Sequence, residues 1–174
     1  MNSLTENKNL LFNANYRVTC DRIPNFCRFT VDVSLPSISS QAVKGPTPFG
    51  ADLKLHGDNL DFTDLMFTVA LDEDWTSYID ILDWMYSYAA PEKFEQYKEN
   101  TSQLEKDTHS SKYADITVHA LTNKGNANMA FTFYNACPVT LDPPLLNQQL
   151  PNRAEPLRFT TSFSYDRVSC KKVT

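Results

Sequence analysis

The sequence predicts a mainly β subunit, an antiparallel β-sandwich of about seven or eight strands with one α-helix packed at its edge. Three observations lead there. Several stretches alternate apolar and polar residues with a period of two, as strands do when one face meets a core and the other meets water. Short passages rich in Gly, Asn and Asp separate such stretches, as hairpin turns do. Only one long stretch, Asp74–Tyr88, repeats with the helical period instead.

At 174 residues the chain can bury a real core, and a single domain spanning 1–174 is the default. Residues 1–13 are polar and read as an N-terminal arm that orders on assembly. They hold no apolar run suited to a signal peptide, so synthesis in the cytosol is expected. No apolar run approaches the length needed to span a bilayer as a helix.

Tyr16–Arg22 reads as the first strand, with Tyr16, Val18 and Cys20 on one side. Ile23-Pro24-Asn25 reads as a turn. Phe26–Leu35 alternates cleanly: Cys27, Phe29, Val31, Val33 and Leu35 face one way, Arg28, Thr30, Asp32 and Ser34 the other. Pro36 supplies no ladder donor and ends the run. Ser37–Gly50 reads as a loop, too long for a plain hairpin connection. Ala51–His56 and Leu60–Leu71 read as a hairpin about Gly57-Asp58-Asn59, so that 37–61 stands out as a loop plus hairpin. In its second strand Leu65, Phe67, Val69 and Leu71 form the apolar face, while Leu60, Phe62 and Met66 suggest that part of the other side is covered too.

Asp72, Glu73 and Asp74 sit where side-chain oxygens cap a helix start and negative charge suits its dipole. Trp75, Tyr78, Ile79, Leu82 and Tyr86 form the expected core stripe. Ile81, Trp84 and Tyr88 lie roughly opposite, to be covered by a loop of the same chain or by a partner. Glu92–Lys112, with five acids and four lysines, is a charged excursion. Ala114–Leu121 and Asn128–Asn135 pair about Thr122–Asn126, where Gly125 is free to adopt positive φ. Ala136–Asp142 continues extended to Pro143-Pro144, and 143–156 reads as a loop or arm. Leu157–Asp166 is the last strand, and the basic tail Lys171-Lys172 is left mobile.

The chemistry of catalysis is missing from this pattern. Cys20, Cys27, Cys137 and Cys170 lack metal-site spacing and are expected as free thiols. His56, His109 and His119 are scattered, and the four glycines form no phosphate loop. No enzyme activity, cofactor, metal or small-molecule substrate is expected. The formal charge is −5, and Asp58–Asp83 holds eight acids without a Lys or Arg. A groove that grips phosphates wants the opposite sign. An acidic surface suits a wall that DNA must pass without sticking, or else a plain solvated face.

One ordered set of residues goes further. Leu35-Pro36, Ile38, Pro48-Phe49, Gly57-Asp58, Phe62-Thr63-Asp64, Val69, Asp72-Glu73 and Trp75 follow one another along the chain. That order resembles the tail tube proteins of contractile-tailed bacteriophages, including the related tube-initiator rings of the baseplate. The resemblance implies a hexameric ring whose strands join into a closed inner β-barrel, removing sheet edges that a lone subunit would expose. It implies stacked rings forming a tail tube, a contractile sheath around them, and baseplate or neck proteins at the ends. A tape-measure protein and DNA would occupy the lumen without sequence-specific binding. The site would be the virion tail, assembled in the host cytoplasm. On this reading Gln41, Lys44, Pro46, Pro48 and Phe49 are inter-ring or subunit contacts. Ile81, Trp84 and Tyr88 become sheath or partner contacts. Thr30, Asp32, Ser34, Thr117 and His119 become candidates for a wet lumen wall. The alternative is a soluble β-sandwich adaptor or ligand-binding module, which would stay small in a mass measurement.

Overall fold

The computed structural model describes residues 10–11, 15–46, 50, 53–89, 112–146 and 156–173. Most of the expected arms (1–9, 12–14 and 147–155), Pro48 and Phe49, and nearly all of the charged excursion (90–111) lie outside them.

The elements in chain order are β1 (Tyr16–Cys20), α1 (Pro24–Phe29), β2 (Thr30–Ser34), β3 (Ile38–Gly45), β4 (Leu53–Phe62), β5 (Leu65–Ala70), α2 (Thr76–Tyr88), β6 (Ala114–Leu121), β7 (Ala127–Asp142), β8 (Arg158–Ser164) and β9 (Arg167–Lys172). The fold is mainly β, and every strand pair is antiparallel. Seven strands make one sheet in the order β1-β6-β7-β8-β5-β2, with β9 also on β7. Strands β3 and β4 make a separate two-stranded sheet.

Strand β7 is the spine, 16 residues long. Its first half pairs β6 and β9, and its second half pairs β8. It turns a corner at Asn135, whose φ of 53° is left-handed, a region asparagine tolerates better than most residues. The Asn135 N–H donates to the Asp115 carboxylate at 3.1 Å, and its side-chain amide donates to Asp166 at 2.7 Å. Two sheet halves thus fold about one strand: β1-β6-β7-β9 below the corner, β7-β8-β5-β2 above it.

Between the halves lies an apolar core. Alternation decides what enters it: Leu65, Phe67 and Val69 from β5, Phe159 and Phe163 from β8, Ile116 and Val118 from β6. Phe26, Phe67 and Phe163 meet edge to face, with centroids 5.2 to 5.7 Å apart.

Several expected elements need correction. Phe26–Leu35 is not one strand, because its first residues belong to α1. Pro24 stands in the first turn, where its fixed φ and missing N–H cost nothing. The short helix lets β1 cross to β2 while driving Phe26 into the core. Ser37–Gly50 is mostly strand β3. Gly57-Asp58-Asn59 is no turn but the middle of β4, and the hairpin closes instead between Gly45 and Leu53. The basic tail is ordered as β9 along β7.

The phase of α2 is also shifted. Trp75 precedes the helix with φ 58°, and the buried line runs Ser77, Ile81, Trp84. Ile79 and Tyr86, assigned to the core stripe, are about half exposed. Trp84, at 2% exposure, packs on Phe163 with centroids 5.8 Å apart. Its indole N–H donates to the Lys112 carbonyl at 3.0 Å, and Arg22 lies over its ring at 4.7 Å. The helix start is held as expected from Asp72, whose carboxylate accepts the N–H groups of Thr76 (3.0 Å) and Ser77 (3.3 Å) and the Ser77 hydroxyl. Partial burial works to raise that carboxyl, but these hydrogen bonds outweigh it and hold it below its ordinary value.

Candidate assembly surfaces

Three surfaces carry the residues singled out above. The first is the hairpin β3–β4. Its root is clamped: the Ser37 N–H donates to the Thr63 hydroxyl at 2.8 Å, the Thr63 N–H returns to the Ser37 carbonyl, and the Tyr165 hydroxyl donates to the Thr63 carbonyl. Beyond the root, the two strands pack substantially only on each other among the described elements. A bulge in β4 breaks the ladder register between Ser40 and Ala42, where the three residues Gly57–Asn59 face Gln41 alone. It brings the Gln41 carbonyl so close to Gly57 that a Cβ there would overlap it, which is why the facing strand carries a glycine. The Gln41 side chain donates to Asp61 at 2.8 Å. Lys44 and Pro46 are exposed near the closed end. Ile38, Leu55, Leu60 and Phe62 are apolar and exposed on this hairpin. A lone two-stranded sheet in water is marginal, so such a face calls for cover.

The second surface is α2. Ile81 and Trp84 are core residues and offer nothing to a partner. Tyr88 is half-buried, and its hydroxyl donates to the Pro138 carbonyl. The expectation of a partner at these three came from reading the helix one step out of phase. The outward face instead presents Ile79, Asp83 and Tyr86.

The third surface is the pair of outward sheet faces, which separates the five lumen candidates. Asp32 and Ser34 stand on β2 opposite Thr68 and Met66, in rows continuing through Thr160 to Asp142 and through Ser162 to Thr140. That face is rich in hydroxyls, with Asp32, Asp64 and Asp142 upon it or at its rim, and Arg158 at one strand end. Thr117 and His119 stand on β6, on the outward face of the other half. There the rows read Thr19-Thr117-Thr132-Ser169 and Arg17-His119-Ala130-Lys171. The Thr117 and Thr132 hydroxyls are 3.3 Å apart. The two faces point away from each other across the shared core, so one channel cannot be lined by both sets. Thr30 joins neither, because its hydroxyl donates to the Phe26 carbonyl at 2.9 Å and closes α1.

The first and last strands of the sheet path, β1 and β2, flank an open cleft of about 1280 Å³. Sequence reasoning missed this seam, because β1 and β2 lie close in the chain and only the fold decides that they end the sheet path without pairing each other. Elsewhere, no group of His, Cys, Asp and Glu that could hold a metal ion occurs among the described residues.

The sequence matches no protein-family model and no curated protein. Solved structures do match. One is a chain of the PVC sheath–tube complex of an extracellular contractile injection system in the extended state: 17% identity, 95% of this chain and 94% of that chain covered, TM-score 0.63. A chain of the sheath/tube terminator of the same system gives 16% identity, 94% and 98% coverage and TM-score 0.62. A chain of the tube-terminating cap of the anti-feeding prophage gives 13% identity, 98% and 97% coverage and TM-score 0.59. Over nearly its whole length, the chain shares the fold of tube proteins from contractile injection systems.

Proposed function

We propose that this protein is a structural subunit of a contractile injection tube: hexameric rings stack into a hollow conduit, a sheath surrounds it, and baseplate and terminator or neck proteins meet its ends. The observation that carries this reading is the shared fold, which spans 95% of this chain and 94% of its counterpart in a sheath–tube complex. Two features support it. The hairpin leaves Ile38, Leu55, Leu60 and Phe62 in water, as an element that reaches a neighbouring ring would. Among the described strands, β2 and the second half of β7 each form a ladder on one side only, as a sheet continued from copy to copy requires.

On this reading Gln41, Lys44 and Pro46, with Pro48 and Phe49, contact the next ring. The helix face of Ile79 and Tyr86 takes the sheath role first given to Ile81 and Trp84. The wall of the lumen is the face bearing Asp32, Ser34, Thr68, Thr140, Asp142 and Thr160. Its charge supports this choice, since the opposite face would set Arg17, Arg167 and Lys171 against a phosphate backbone. A genome, in a phage tail with its tape-measure protein, slides along hydroxyls and acids without being held. The role is structural rather than enzymatic, in a tail or injection particle assembled in the host cytoplasm.

Negative-stain electron microscopy and mass photometry of the purified chain test the proposal. Six-fold rings and hollow tubes are the expected outcome. A protein that stays monomeric at every concentration, as an adaptor would, refutes it.

A further inference from the structure

We infer that Cys20 and Cys27 form a modification site: a small-molecule disulfide converts the two thiols into an intramolecular bond that ties α1 to the end of β1. The inference stands apart from the tube reading, since it concerns the folded subunit alone. Strand β1 ends at Cys20, which points inward and is 5% exposed. The chain passes at once into α1, where the Cys27 N–H donates to the Ile23 carbonyl at 3.4 Å. That first helical turn brings Cys27 back over the strand the chain has just left. Its Sγ lies 4.0 Å from the Cys20 carbonyl oxygen, across seven positions of chain. Both side chains meet the same apolar core, Cys20 within it and Cys27 against it. Both are free thiols.

Cys27 also lines the open cleft of about 1280 Å³ beside β1, so a small reagent can reach one member of the pair. Cys27 gives its proton to water, and its thiolate attacks one sulfur of the reagent. The S–S bond of the reagent breaks, and one of its thiolates leaves. Cys20 then loses its proton and attacks Cys27 Sγ, expelling the second reagent thiolate. Two protein thiols are oxidised, and one reagent disulfide is reduced to two thiols. Burial, and next the nearby Cys20, push the Cys27 thiol up to about 12, and burial raises Cys20 as well. Few thiolates exist at neutral pH, so the reaction is slow and speeds about tenfold with each pH unit. A reducing compartment keeps the pair as thiols, and an oxidising one closes the bond over time.

The bond has a mechanical consequence, because α1 leads straight into β2. The Thr30 hydroxyl closes the helix on the Phe26 carbonyl, and β2 begins at that threonine. A tie from Cys27 to Cys20 therefore fixes the entry of β2 against β1, the two strands that end the sheet path.

The test incubates the full folded chain with bis(hydroxyethyl) disulfide at several pH values between about 7 and 9, quenches with acid and maps tryptic peptides without reduction. The expected product joins Val18–Arg22 to Ile23–Arg28 and forms about ten times faster with each pH unit. The melting temperature of the oxidised chain rises by roughly 5–10 °C, the gain from closing a short loop in the unfolded state, and dithiothreitol reverses it. Cys27→Ser and Cys27→Ala show neither the product nor the rise. Cys137 and Cys170 stand on β7 and β9 and serve as internal controls. A bond from Cys27 to either of them overturns the inference. So does a Cys27 that stays a thiol or stops at the mixed disulfide with the reagent, and so does a Cys20–Cys27 bond that appears only in urea. An unchanged or lower melting temperature on oxidation overturns the tie.

Discussion

Trp84→Ala puts the phase of α2 to the test. The indole is 2% exposed, touches Phe163, lies beneath Arg22 and donates to the Lys112 carbonyl. Truncation leaves a cavity between helix and sheet, and a buried Trp→Ala change costs about 3–5 kcal/mol. The loss of the N–H bond and of the cation over the ring places Trp84 in the middle of that range or above, about 4 kcal/mol. For a chain of this length each kcal/mol lowers the melting temperature by about 2–4 °C, so a drop of about 8–16 °C is expected. Tyr86→Ala, two residues further on the outward face and half exposed, should stay within about 0.5 kcal/mol on stability yet weaken sheath binding. Urea denaturation of both variants as isolated subunits, followed by circular dichroism, measures the difference. Equal midpoints would mean that Trp84 is not a core residue, and the helix packing described above would fall with it.

Other outcomes follow from single contacts. Gly57→Ala forces a methyl group into the Gln41 carbonyl. It should leave the core within about 1 kcal/mol of its stability while abolishing tubes in micrographs, and normal tubes would show that the bulge is dispensable. Asp72→Ala removes the α2 cap and should cost about 1 kcal/mol at neutral pH. Because the folded carboxyl sits below its ordinary value, the cap is fully present above the unfolded value and is lost as pH falls through the folded one. The gap between variant and parent should therefore close below about pH 4 in acid melts. Among the thiols, burial, and next the nearby Cys20, push Cys27 up to about 12, Cys20 is buried, and Cys170 is exposed. Iodoacetamide at pH 8 should thus modify Cys170 well before Cys27, and mass mapping of the labelled peptides checks the order.

What could be read from the chain depended on whether an element touches the core. Strands β5, β6 and β8 show their alternation because one face of each is buried, and the hairpin about Thr122–Asn126 carries its own turn chemistry. Strand β3, Ile-Ser-Ser-Gln-Ala-Val-Lys-Gly, faces no core in the lone subunit, so it has no period-two signature and reads as a loop. Strand β9 is similar: polar and basic, it is ordered by pairing to β7 rather than by burial. Helix α1 is only six residues long and sits inside a false alternation, where Pro24 was the one available start signal. In α2 a serine opens the buried line, and a pattern sought among large side chains slides off it. The partner residues suffered most from this. Ile81 and Trp84 looked spare because Ser77 did not look like core.

The order of the strands along the chain also has a consequence for how the subunit comes into being. Strands β6 to β9 follow one another and pair among themselves, so this group can form from neighbouring stretches of chain. Strand β1 is made first and waits longest for its mate, since Tyr16 must wait for Ala120 and Cys20 for Ile116. Strand β2 finds β5 sooner, but β5 needs β8, from near the end of the chain. During synthesis the early strands are therefore open edges without mates, the species that a chaperone would have to shield. Among the described residues β1 and β2 each pair on one side only, so their amides should exchange with solvent before those of β7.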